Sequence, residues 1–163
     1  ILWSLLLAST TPAVRAQVLS GDPQFSLLHN VGWEMSPHDV RSLFQGTQNL
    51  SSATDSTLTL NTVFFGVPAS TEIRFQQSRR GPAFVRIKFN EPTRTLVDTI
   101  SSHFTRFTQK SPTTSVTEKK LFLISLRIEI AKWKTEKESV VLTTALRDET
   151  LGDVSLIISR FAD

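Results

Sequence analysis

A group of cations lies close together in the middle of the sequence. It consists of Arg74, Arg79, Arg80, Arg86 and Lys88. The two central arginines stand at a predicted hairpin tip, and the other three lie on the strands that flank it. Such a surface attracts anionic partners, including lipid headgroups, a glycan or an acidic protein face. The simpler explanation is that cations on a sheet protect it from pairing with other sheets. We add Trp133 to this candidate binding site, because aromatic residues beside arginine are typical of protein recognition.

The residue types that most often serve in catalytic and metal sites form no recognisable motif. Three histidines, His29, His38 and His103, are far apart in the sequence, and none has a ligand partner three or four positions away on a helix. Serine and threonine are abundant, but the Gly-x-Ser-x-Gly pattern of many serine hydrolases is missing. The sequence therefore predicts no catalytic residue, no metal ligand and no cofactor. A hydrolase site assembled from residues distant in sequence remains an alternative.

Composition narrows the class of protein further. The chain has 163 residues, a formal net charge of +3 and no cysteine. One domain of this size can enclose a core. The charge excess is too small to indicate nucleic-acid binding, which needs lysine and arginine concentrated on one face. The missing cysteines exclude disulfides and thiolate metal sites, so stability must come from packing.

Residues 1–16 have the composition of the end of a secretory signal peptide. An apolar run leads to Pro12, and Val14 and Ala16 stand where such signals carry residues of modest size. This pattern predicts an exported, periplasmic or secreted protein whose mature chain is a single α+β domain at residues 17–163. No transmembrane span is expected in that mature chain. The leader segment is not expected to form one either, since Pro12 and Arg15 lie too close to its apolar run to leave about 20 uninterrupted apolar residues. The alternative is that residues 1–7 form a buried strand or helix of the domain.

Helix signals occur at two places in the mature chain. Ser36, Pro37 and Asp39 form a typical helix start, with a capping side chain and an acidic residue in the first turn. This helix is expected to end near Gly46. A second helix is predicted over residues 91–110, where apolar side chains recur at spacings of three and four.

Alternating apolar and polar residues predict strands in the rest of the chain. Three strands are expected between residues 57 and 90, and three more over 122–130, 140–146 and 154–161. Residues 17–30 are expected to be an extended lead-in, and 49–56 and 111–117 to be loops. The predicted fold is α+β, with two helices packed on one face of an antiparallel sheet of about five to six strands. Its order is helix, three strands, helix, three strands.

The opening phrase of the domain resembles a known family. Trp33, Met35, Ser36, Asp39 and Val40 give the pattern W-x-M-S-x-x-D-V, and Trp133 with residues 140–142 is similar to a later hairpin element. Together with the order of elements, these residues resemble the BLIP-like (β-lactamase-inhibitor-protein-like) exported bacterial modules. Gly32 and Glu34 depart from the family phrase. The resemblance implies a module that binds proteins or envelope components without catalysis.

These observations predict a non-catalytic exported module that recognises a protein or an envelope component through an exposed sheet face. Two other interpretations stay open. The first is a secreted or periplasmic hydrolase whose site is assembled from residues distant in sequence. The second is a structural fragment of a larger envelope protein. The sequence gives no oligomeric state.

Overall fold

The computed structural model describes residues 17–76, 81–121 and 123–161. The predicted signal peptide at residues 1–16 lies outside the described residues, as do Arg79 and Arg80. The described helices are α1 (Val18–Gly21), a 3-10 helix (Pro23–Leu28), α2 (Pro37–Phe44) and α3 (Arg94–Thr108). The strands are β1 (Leu50–Ala53), β2 (Thr57–Phe64), β3 (Val67–Phe75), β4 (Pro82–Phe89), β5 (Thr113–Leu121), β6 (Ile124–Lys134), β7 (Glu138–Arg147) and β8 (Thr150–Arg160).

All eight strands belong to one antiparallel sheet in the order β1-β2-β3-β4-β8-β7-β6-β5. Each four-stranded half is a meander in which consecutive strands are neighbours. The halves join where β4 pairs with β8, from Phe84 opposite Ser159 to Lys88 opposite Ser155. A helix precedes each meander, so the chain repeats one arrangement twice, although the sequence shows no repeat.

The predicted fold class is therefore wrong in its architecture. The protein is mostly sheet, with eight strands and short helices, and is not a pair of helices on a sheet of five to six strands. The sequence prediction missed β1 and β5, because their polar residues were interpreted as loops. Both are edge strands, and β5 is exposed from Thr113 to Lys120, so neither needs the apolar alternation by which strands are recognised. The predicted strand at 122–130 lies further along, at Ile124–Lys134.

The helix starts agree with their local signals. Ser36 accepts a hydrogen bond from the backbone N–H of Asp39 at 3.2 Å, and the Asp39 carboxylate accepts one from the N–H of Ser36, which forms a capping box. Helix α3 is capped by Thr93, whose hydroxyl accepts from the N–H of Leu96 at 3.1 Å. Residues 17–30 differ from the prediction, because they form α1 and the 3-10 helix and bury Phe25 and Leu28.

The core lies on one side of the sheet only. The buried apolar side chains of the strands belong to one phase of the alternation, for example Leu58 and Leu60 on β2, Ile87 on β4 and Leu156 on β8. The helices add Phe25, Val40, Phe44, Leu96, Ile100 and Phe104 to the same cluster. All the helices therefore lie on this side, which we call the helix side. No described helix is long and apolar enough to cross a membrane.

Candidate binding surface

The opposite side of the sheet, which we call the open face, carries the other phase of side chains. None of its side chains belongs to the core cluster or packs against it. Strand pairing places these side chains in rows across the sheet. One row runs from Glu72 through Arg86, Ile157 and Val141 to Lys132. Because neighbours in a row lie about 5 Å apart, the row forms one continuous surface.

Arg74 and Arg86 form the most ordered part of the open face. Both guanidinium groups lie beside the carboxylate of Glu72, at 3.5 Å from Arg74 and 3.7 Å from Arg86. Both also lie over the ring of Phe84, at 5.8 and 5.3 Å from its centroid. Contacts with the aromatic ring and the shared carboxylate restrict these arginine side chains, although about half of each remains exposed. The structure thus brings two of the predicted binding residues, Arg74 and Arg86, together around Glu72.

Lys88 lies on the same face in the next row. Its ammonium group is 3.0 Å from the carboxylate of Asp153 on β8, across the seam between the two halves. Cations outnumber carboxylates over the described open face, which holds Glu72 and Asp153 against Arg74, Arg86, Lys88, Lys119, Lys132, Lys134 and Arg147. The excess of positive charge is therefore spread over most of the face.

An apolar strip crosses the open face between these cations. It consists of Leu126, Ile128 and Ile130 along β6, Val141 on β7 and Ile157 on β8. These side chains are partly exposed, and no described helix covers them. Burial of such aliphatic side chains by a partner contributes roughly 25 cal/mol for each Å² removed from water. The strip therefore provides the apolar centre that protein interfaces have, with cations as its rim.

Trp133 does not lie on this surface. It is on the helix side, 1% exposed, where its ring packs 5.7 Å from that of Phe104 and its Nε1 donates to the hydroxyl of Thr105 at 3.3 Å. Arg74, Arg86 and Lys88 are together on the open face, and Arg79 and Arg80 lie outside the described residues. The observed surface thus contains three of the six predicted binding residues.

The apolar strip was not part of the site predicted from the sequence. Alternation over residues 124–130 indicates a strand, but it does not tell which phase is covered by the core. The end of β6 shows which residues face the helices. Ala131 and Trp133 are in the opposite phase to Leu126, Ile128 and Ile130, and they pack with the core. A strand with apolar residues in both phases is typical of one that is covered on both sides.

A second cluster joins the N-terminal segment to α3. His103 Nε2 lies 2.5 Å from the carboxylate oxygen Oδ2 of Asp22, whose other oxygen accepts from the N–H of Gln24 at 3.0 Å. The imidazole is packed among Phe65, Phe104 and Phe107. A carboxylate that orients an imidazole is part of many hydrolytic sites, but these also need a nucleophile hydrogen-bonded to the ring. No such hydroxyl contacts His103 among the residues described.

A pocket of about 290 Å³ lies between the N-terminal segment and the β6–β7 hairpin. Its lining includes Trp33, Met35, Arg160 and Glu138. The Glu138 side chain is buried, and both of its oxygens accept hydrogen bonds, one from Trp33 Nε1 at 2.8 Å and the other from the backbone N–H of Val18. This carboxylate therefore holds the N-terminal segment against the sheet.

A search of the described part of the chain finds no group of three or more histidine, cysteine, aspartate or glutamate side chains that could hold a metal ion. No family model, curated protein or solved structure matches this chain.

Proposed function

We propose that the protein is a non-catalytic binding module that recognises another protein through the open face of its sheet. The observation that carries this proposal is the apolar strip outside the core, bordered by more cations than carboxylates. Exposed apolar patches rimmed by polar residues are typical of protein interaction sites. The face is also built on sheet strands, which hold the side chains in a fixed arrangement before a partner arrives.

The partner best matched to this face carries carboxylates around an apolar centre. Arg74 and Arg86 share Glu72, so two guanidinium groups face one carboxylate and retain donors for a second acidic group. Arginine beside an aromatic ring is enriched among the residues that dominate binding energies. Charge complementarity of this kind raises association rates and gives specificity.

The proposal includes a location outside the cytoplasm. Support for it comes from the leader-like composition of residues 1–16, where an apolar run precedes small residues and a suitable cleavage position. In this setting the partner is a periplasmic or secreted protein, or a protein of the cell envelope. Fractionating cells that express the protein, and measuring how much of it lies outside the cytoplasm, tests this part separately. Protein found only in the cytoplasm would contradict it.

The experiment for binding uses a photo-crosslinking amino acid placed at two matched positions. Thr143 lies within the open face, and Thr99 is exposed on α3 at the helix side. We expect crosslinks to one discrete protein from position 143 and none to that protein from position 99. Equal labelling from both positions would contradict recognition through the open face.

A charge variant gives a second measurement on the same partner. Replacing Arg74 and Arg86 by glutamate reverses the charge beside Phe84, and we expect the association rate to fall by about ten-fold or more at low salt. Lys110→Glu is the control, because Lys110 is exposed after α3 and lies outside the sheet. If the double variant and the control bind equally fast, the arginines are not part of the interface.

A further inference from the structure

The two edges of the sheet are built differently. Strand β1 has four residues, and its pairing with β2 shifts register between Leu50 and Ser52. Strand β5 has nine residues and pairs with β6 without any shift, from Thr113 opposite Lys132 to Leu121 opposite Ile124. Short edge strands and bulges are ways in which proteins prevent edge-to-edge pairing. The β1 edge has both protections, and the β5 edge has neither.

The residues of β5 also leave its first half without protection. All residues from 113 to 120 are exposed, and Val116 is 53% exposed. Charged side chains occur only toward the end, at Glu118, Lys119 and Lys120. Each outward-facing N–H and C=O of this edge is therefore available for a ladder with another strand. Threonine, serine and valine, which fill residues 113–117, suit the pairs that stabilise such a ladder.

We propose that β5 pairs antiparallel with β5 of a second copy of this chain, with the two Val116 residues opposite each other at a two-fold axis. In this register Thr113 faces Lys119 and Thr114 faces Glu118, so no like charges are directly opposite. A parallel arrangement in register would place lysine against lysine and glutamate against glutamate. The sequence of the strand therefore favours a second copy in the antiparallel direction, and the two-fold axis closes the assembly at a dimer.

The helix side of this edge supports the same pairing. Val116 shares its face with Glu129, on the helix side of the sheet. Next to it, a pocket of about 200 Å³ is lined by Val97, Ser101 and Ala131. In the dimer, Val116 of the second copy would lie beside this pocket, and the apolar lining of the pocket would be less exposed to water. This inference is independent of the proposed partner on the open face.

A single-cysteine variant tests the register, because the natural chain has no cysteine. In V116C the two thiols face each other across the two-fold axis, where opposite Cβ atoms lie about 4.5–5.5 Å apart, so a small backbone adjustment allows a disulfide. The control is S52C, an exposed position on the opposite edge. We expect disulfide-linked dimers to form at least about ten-fold faster in V116C than in S52C under mild oxidation. Equal rates in the two variants would overturn the proposal.

Sedimentation equilibrium of the cysteine-free protein gives the second measurement. We expect a reversible monomer–dimer equilibrium that shifts to monomer in V116K, since two lysines would then meet at the axis. Far-UV circular dichroism checks that V116K keeps its sheet. A wild-type chain that remains monomeric up to millimolar concentration overturns the proposal whatever the variant does.

Discussion

Replacing Glu138 by glutamine tests how the N-terminal segment is held to the sheet. The carboxylate is 1% exposed and accepts one hydrogen bond on each oxygen, from Trp33 Nε1 and from the N–H of Val18. Glutamine is nearly the same size but has one acceptor oxygen, and its amide NH₂ is a donor. In E138Q one of the two buried N–H groups therefore faces another donor.

The expected cost has two parts. One charge-assisted hydrogen bond becomes a neutral one, and one buried donor is left without an acceptor, at about 1–3 kcal/mol for the unsatisfied group alone. Together we expect the free energy of unfolding to fall by about 3 kcal/mol. In a chain of this size such a loss lowers the melting temperature by about 6–12 °C.

Urea unfolding at pH 7, followed by circular dichroism, measures this loss. The control is E91Q, because Glu91 is exposed and its replacement should change stability by less than about 0.5 kcal/mol. A double-mutant cycle with W33F sharpens the result, since removing the Trp33 donor relieves part of the conflict in E138Q. We expect a coupling energy of about 1 kcal/mol. An E138Q variant as stable as E91Q would refute the argument.

Two further predictions concern the backbone. A side chain at Gly81 would place its Cβ 1.8 Å from the carbonyl oxygen of Trp33. We therefore expect G81A to lower the free energy of unfolding, measured by urea titration, by about 2–3 kcal/mol. The control is G152A, whose Cβ meets its nearest atom at 3.5 Å and which should be near neutral. S36A removes the capping hydroxyl that accepts from Asp39, and we expect it to cost about 1 kcal/mol by thermal unfolding; a loss below about 0.3 kcal/mol would show that the cap adds little.

The sequence predicted the elements that have strong local signals. Helix α2 follows its capping residues, and β2, β3, β4, β7 and β8 follow their alternation, because each of these strands has one phase facing the core. Strands β1 and β5 were missed because an exposed edge strand needs no apolar phase. These two strands form because they pair with β2 and β6, and a pattern within their own residues does not indicate that pairing.

The grouping of charged residues on the open face was predicted in part for the same reason. Arg74, Arg86 and Lys88 could be placed together, since adjacent strands of a hairpin share their polar phase. Trp133 was added to the candidate site, but it lies buried on the helix side, because the apolar side chains of β6 change phase between residues 124–130 and Ala131 with Trp133. The Asp22–His103 contact joins the cap of the 3-10 helix to a residue of α3 that is distant in sequence, and no spacing rule indicates it.

The seam between β4 and β8 has a consequence for biosynthesis. Strand β4 leaves the ribosome early, but the strand that pairs with its free side, β8, is made only after α3 and the other three strands of the second meander. Until then β4 is an open edge of the first meander, although it lies in the middle of the finished sheet, and partly folded chains with unpaired strand edges are prone to misassociation. Because contacts between distant segments form slowly, joining the two meanders is the step that chaperones have most reason to protect.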